Sequence, residues 1–94
     1  MAVDLDVALL SRERLFGDYY LLTFEHAEVA TTARPGQFVM IKAGLSREPP
    51  LRRPFSIMSV DAEASSFTLF IKVIGVGTAA LSALEEGHKT LASP

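Results

Sequence analysis

Cysteine is absent from this 94-residue chain. Disulfides, a zinc–thiolate site, iron–sulfur ligation by this segment and a cysteine nucleophile are therefore excluded. Histidine is scarce: His26 and His88 are the only imidazoles, too few for a metal site, so none is expected. A basic excess is also missing, since 9 basic residues stand against 11 acidic ones for a net charge of -2, and no general positive field draws nucleic acid. No apolar run approaches the roughly 20 residues of a membrane-spanning helix. The longest, Phe67 to Val76, is interrupted by Thr68, Lys72 and Gly75. The opening MAVDLDVALLSRERLF lacks the basic start and long apolar core of a signal peptide, which makes a cytoplasmic location the default expectation.

What is present suits one folded domain over residues 1–94. Hydrophobic residues make up 49% of the chain and charged ones 21%, too apolar for disorder, and the length leaves no room for a second core. Val3, Leu5, Val7 and Leu9 alternate with less apolar neighbours, the period of a half-buried strand. Gly17-Asp18 turns the chain into a second, antiparallel strand, Tyr19 to Phe24. A loop is expected over Ala27 to Arg34, then a Pro35-Gly36 turn and a strand Gln37 to Lys42. Ala43 to Arg52, with its Gly, Ser and paired prolines, reads as a loop. Phe55 to Val60 and Phe67 to Ile74 read as strands joined by Asp61 to Ser66. Thr78 to Leu84 reads as a short helix stopped by Gly87, and Lys89 to Ala92 has the composition of one more short strand. The pattern predicts an all-β fold, a small antiparallel barrel with one short helix.

Two motifs carry the chemistry. Arg53 is held extended by the following Pro54, and its planar guanidinium matches phosphate oxygens. Gly75-Val76-Gly77-Thr78, at a strand-to-helix turn, leaves backbone N–H groups free for an anion. Gly75 to Ala80 also satisfies the dinucleotide pattern G-x-G-x-x-G/A, but no parallel strand or acidic residue follows at the required distance. Arg52 reads as a solvated arginine after a loop. His26 is expected to face solvent, Met40 and Met58 to fill the core, and Asp61, Glu63, Glu85 and Glu86 to be isolated surface charges.

Arg53-Pro54-Phe55-Ser56 resembles the Arg-x-Tyr/Phe-Ser/Thr flavin motif of the ferredoxin reductase superfamily, and Pro35-Gly36-Gln37-Phe38 and Gly75-x-Gly77-Thr78 recur there at similar spacing. The form Arg52-Arg53-Pro54-x-Ser56-Ile57 is most similar to the electron-transfer subunits of bacterial dihydroorotate dehydrogenases, which serve pyrimidine biosynthesis. The resemblance implies a six-stranded Greek-key barrel that binds FAD, in a protein whose further parts carry NAD and a [2Fe-2S] cluster. It implies a catalytic dihydroorotate dehydrogenase subunit as partner, in a heterotetramer. Carried over residue by residue, it assigns the pyrophosphate to Arg53, the flavin wall to Pro54 and Phe55, and the isoalloxazine edge to Ser56. Phe70, Ile71 and Lys72 would form the next flavin-contacting strand, and Gly77 and Thr78 would offer N–H groups and a hydroxyl.

The chain departs from that family in having Ile71-Lys72 where Tyr-Arg is usual, and in its ending His88 to Pro94. A domain fragment inactive alone is expected, one that self-associates as a homodimer through apolar surface and an open edge along Phe67 to Ile74. Two rivals remain at this stage: the FAD domain of another reductase of the superfamily, and a small β-barrel interaction module that has lost flavin.

Overall fold

Alternating apolar residues become alternating inward side chains. The computed structural model describes residues 5–43, 51–73, 87 and 89–93. In chain order the elements are β1 (Leu5–Phe16), β2 (Tyr19–Glu25), α1 (Ala27–Thr32), β3 (Phe38–Ala43), β4 (Leu51–Asp61), β5 (Ser66–Lys72) and β6 (Lys89–Ser93). They close into an antiparallel barrel of order β1-β2-β5-β4-β3-β6, the Greek-key arrangement expected. Closure depends on the last strand. β6 pairs with β1 from Leu5↔Ala92 to Ala8↔Lys89 and with β3 at Met40↔Ser93 and Ile41↔Ala92.

The core is made by the inward positions: Val7, Leu9, Leu22, Phe24, Val39, Ile41, Phe55, Ile57, Phe67, Leu69 and Ile71, with Val29 added from the helix. Phe24 and Phe67 are register partners across β2 and β5, and their rings stack at 5.7 Å. Such a pair adds about 0.5–1.5 kcal/mol beyond its buried area. On the outer side of the same ladder the Thr23 and Thr68 hydroxyls share a 2.9 Å hydrogen bond.

Several expectations are corrected. Ala27 to Arg34 is no simple loop: Ala27–Thr32 is helical, capped by His26, whose Nδ1 accepts from the Val29 N–H at 3.3 Å. His26 is thus a half-buried cap, and its backbone N–H donates to the Ser65 carbonyl. The helix buries Val29 and Ala30 and lies against β4 and β5. Ala43, Leu51 and Arg52 belong to strands, not to the intervening loop. Met58 is 46% exposed because it follows the inward Ile57 on β4 and so takes an outward position, and Met40 is only partly buried. Asp61 is not an isolated charge, since its Oδ1 accepts from the Glu63 and Ala64 N–H groups and organises the β4–β5 turn. The helix expected over Thr78 to Leu84 lies outside the described residues.

The expected open edge along Phe67 to Ile74 is absent over the described part of that segment. β5 pairs with β2 along its whole length and with β4 from Ser66 to Leu69. It is an interior strand.

Neighbouring residues on β5 should therefore differ sharply in their effect on stability. Leu69→Ala, in the core, should cost about 2–5 kcal/mol. Phe70→Ala, on the outer face, should cost no more than about 1.5 kcal/mol, the scale of a lost aromatic pair. Urea unfolding of the two variants checks the difference.

Candidate functional site

β4 changes partners midway. Its first half, Leu51 to Ser56, pairs with β3, from Ala43↔Leu51 to Phe38↔Ser56. Its second half, Ile57 to Asp61, pairs with β5. At the changeover the Ile57 N–H donates to the Gln37 carbonyl at 2.8 Å, and the Gly36 N–H donates to the Ile57 carbonyl at 2.9 Å. Gly36 can take this place at φ +92, a conformation other residues rarely adopt.

Backbone groups alternate sides along an antiparallel strand, so with Ile57 turned to the β3 side, those of Ser56 and Pro54 turn toward β5. Pro54 has no N–H to give there. The β4–β5 register accordingly stops at Ile57↔Leu69, and Ser56 and Phe70 do not continue it. The barrel wall has a break in its ladder. One lip is Pro54 to Ser56 and the other is Phe70 to Lys72.

Side chains around the break divide by parity. Pro54, Ser56, Phe70 and Lys72 are exposed, whereas Phe55 (8% exposed) and Ile71 (1%) turn into the core. Phe38, the register partner of Ser56 on β3, is 66% exposed beside it. Ser56 thus sits on the outer face opposite the exposed Phe38, with the exposed Phe70 on the strand across the break.

The aromatic surface continues onto the β1–β2 hairpin. Tyr19 stacks on Phe70 at 5.3 Å, Phe16 meets Tyr19 at 5.0 Å, and the Lys72 ammonium lies 5.6 Å from the centroid of the Tyr19 ring. A cation over an aromatic face is worth about 0.5–1 kcal/mol at an exposed site, enough to bias where Lys72 rests. The hairpin tip is held to this surface by the Val73 N–H, which donates to the Asp18 carbonyl at 2.8 Å.

Of the residues singled out from the sequence, Pro54 and Ser56 on β4 and Phe70 and Lys72 on β5 are exposed on the two strands that flank the break. Phe55 and Ile71 support that face from within. Arg53 has its backbone opposite Ile41 and Arg52 opposite Lys42. Gly75, Gly77 and Thr78 lie outside the described residues. Sequence reasoning did not single out the ring contacts of Phe16 and Tyr19 or the exposure of Phe38, although Phe38 closes the Pro35-Gly36-Gln37-Phe38 motif. A cleft of about 470 Å³ adjoins Phe38, between α1 and β3, and includes Glu28, Thr32, Gln37 and Ile57 in its lining. Among the described residues no three His, Asp or Glu side chains group as metal ligands.

The arrangement offers exposed aromatic rings, polar groups at Ser56, and the Lys72 ammonium beside Tyr19. A planar ring system linked to an anion fits such a surface. No family model matches the chain. It is 36% identical over 81 residues to the electron transfer subunit of dihydroorotate dehydrogenase B (NAD(+)) from Lysinibacillus sphaericus, a match covering 86% of this chain and 31% of that protein. The protein of the same name from Desulforamulus reducens is 33% identical over 84 residues, covering 89% and 32%. The chain thus spans about a third of the length of these curated relatives. Among solved structures, that of an NADH-dependent reduced ferredoxin-NADP oxidoreductase, studied for flavin-based electron bifurcation, superposes with a TM-score of 0.82 at 27% identity, over 94% of this chain and 31% of that one.

The break makes a prediction for backbone amides. In the ligand-free chain the Ser56 N–H should exchange with deuterium faster than the Ile57 N–H, which is bonded to Gln37. Residue-resolved hydrogen exchange reads the difference, and equal protection would mean that the β4–β5 ladder runs on through Ser56.

Proposed function

We propose that this chain, a homologue of part of the dihydroorotate dehydrogenase B electron transfer subunits with a ferredoxin reductase-like fold, is the FAD-binding module of an NADH-linked electron-transfer flavoprotein. The observation that carries the proposal is the break in the β4–β5 ladder, flanked by the exposed Pro54 and Ser56 on one strand and Phe70 and Lys72 on the other.

FAD has the shape and polarity of that surface. Its ring system would lie against the outer face near Ser56, whose hydroxyl and N–H are the polar groups at hand, with Phe38 and Phe70 shielding its apolar part from water. Arg53 and Lys72 would meet the diphosphate, helped by the backbone N–H groups of Gly77 and the hydroxyl of Thr78. FAD, when bound, supplies the one- and two-electron chemistry that no side chain of this domain can perform. The barrel's part is to orient the cofactor and to exclude water from one face of it.

On this reading residues 1–94 form one FAD-binding domain, while NAD and a [2Fe-2S] cluster are held by other parts of the intact protein. The partner is a catalytic dihydroorotate dehydrogenase subunit, and the setting is pyrimidine biosynthesis in the cytoplasm. The domain alone does not turn over. A homodimer has lost the strand edge it was expected to use, and the aromatic surface that could have served instead is given to the cofactor.

Adding FAD to the purified chain and recording the visible spectrum tests the proposal: a shifted, retained flavin band supports it, and no retention overturns it. Arg53→Ala should weaken FAD binding by about 1.5–3 kcal/mol, the scale of a lost charged hydrogen bond. Arg52→Ala should do much less. A flavin titration of the two variants gives the comparison, and equal losses would remove Arg53 from the site.

A further inference from the structure

We infer that Phe16 and Tyr19, at the tip of the β1–β2 hairpin, form a stacking platform for the adenine half of the dinucleotide, an extension of the site beyond the β4–β5 break. The inference rests on the FAD-binding reading given above.

Three observations lead to it. First, Phe16 is 65% exposed and Phe70 41% exposed, and both contact the half-buried Tyr19, which stacks on Phe70 and meets Phe16 at a 42° tilt. Exposed aromatic rings in mutual contact present a sequence-independent surface to a planar base. Second, the run is continuous with the proposed site, because Phe70 belongs to one lip of the break and Leu21, its register partner on β2, carries the surface toward the hairpin. Third, the cation is placed at the junction. Lys72 is the register partner of Tyr19, and its ammonium lies over that ring, between the break and the hairpin tip.

An aromatic platform with an ammonium on its inner side is the complement of a base followed by a phosphate. A ligand whose ring system occupies the break and whose phosphates reach Lys72 is directed onward to Tyr19 and Phe16. The hairpin is also secured for this use by the Val73 to Asp18 hydrogen bond and by the Arg14 Nε–H, which donates to the Gly17 carbonyl at 2.9 Å. Phe16 has no part in the core, so its exposure is unexplained by folding.

FMN carries the same ring system without adenine, which makes the test direct. The full chain is titrated with FAD and with FMN, following flavin fluorescence, and the ratio of the two affinities is compared across variants. In the unsubstituted chain FAD should bind the tighter of the two. Phe16→Ala should weaken FAD roughly tenfold and leave FMN unchanged, a loss within the range of about 1–3 kcal/mol per stacked base. Tyr19→Phe should keep the ratio, whereas Tyr19→Ala should lower it and also weaken FMN somewhat through the freed Lys72. Circular dichroism confirms that each variant is folded.

If Phe16→Ala lowers FAD and FMN equally, or neither, the platform is overturned while the FAD-binding reading stands. If the unsubstituted chain binds neither flavin, that reading fails and the platform falls with it. NADH has the same adenosine diphosphate half, so an NADH titration of the FMN-loaded chain forms the second arm. An effect of Phe16→Ala on NADH alone, with the FAD to FMN ratio intact, would assign the platform to NADH and overturn the inference.

Discussion

A single strand that is not paired with both neighbours along its whole length sets the form of this barrel wall. β4 pairs with β3 through its first half and with β5 through its second. The switch is enforced from two sides. Gly36 and Gln37 take both backbone groups of Ile57, and Pro54 has no N–H to continue a ladder toward β5. A barrel otherwise closed on itself is left with a break at a defined point, lined by backbone and side-chain polar groups. Without Gly36 at its positive φ, the clamp on Ile57 would be hard to form.

The rest of the fold makes such a break tolerable. Inward residues from β1 to β5, with Val29 from α1, fill the barrel so completely that several large side chains are fully buried. Phe55 and Ile71, beside the break, are part of that filling, and each separates two outward residues of the site. Their packing holds the lips of the break in place, which is how a small core can support a surface site. The helix, too short to stand alone, is kept by His26 at its start and by the burial of Val29 and Ala30.

Aromatic residues have two separate uses here. Phe24 and Phe67 stack inside and stabilise the β2–β5 ladder, while outside Tyr19 stacks on Phe70 and meets Phe16 at a tilt, with Phe16 and Phe70 exposed to water. The inner pair follows from the drive to bury apolar area. The outer set does not, and its alignment with Lys72 and Ser56 along one surface is what gives the barrel wall a direction, from ring-sized apolar surface to cation to further rings.

Much of this was legible in the chain itself. Period-two alternation located the strands from Tyr19 to Lys72, and Gly17-Asp18 and Asp61 to Ser66 marked their turns, because strand parity and turn chemistry are local properties. The residues Arg53 to Ser56 pointed to a phosphate-bearing ligand for a similar reason: an extended X–Pro unit with a guanidinium is recognisable without knowing its surroundings. The helix at Ala27–Thr32 was not legible, since Val29, Thr31 and Thr32 are weak helix formers and histidine is an unusual cap; only packing on β4 and β5 selects it. Nor could local pattern place Phe70 and Lys72 on one outer surface with Tyr19 and Phe16, joined by ring and cation contacts. Those residues are far apart in sequence, and what joins them is register across β1, β2 and β5. The sequence by itself determined which segments could be strands and which groups could hold phosphate. Tertiary structure alone decided where the ladder breaks and which rings surround the break, because both depend on which strand each backbone group finds as its partner.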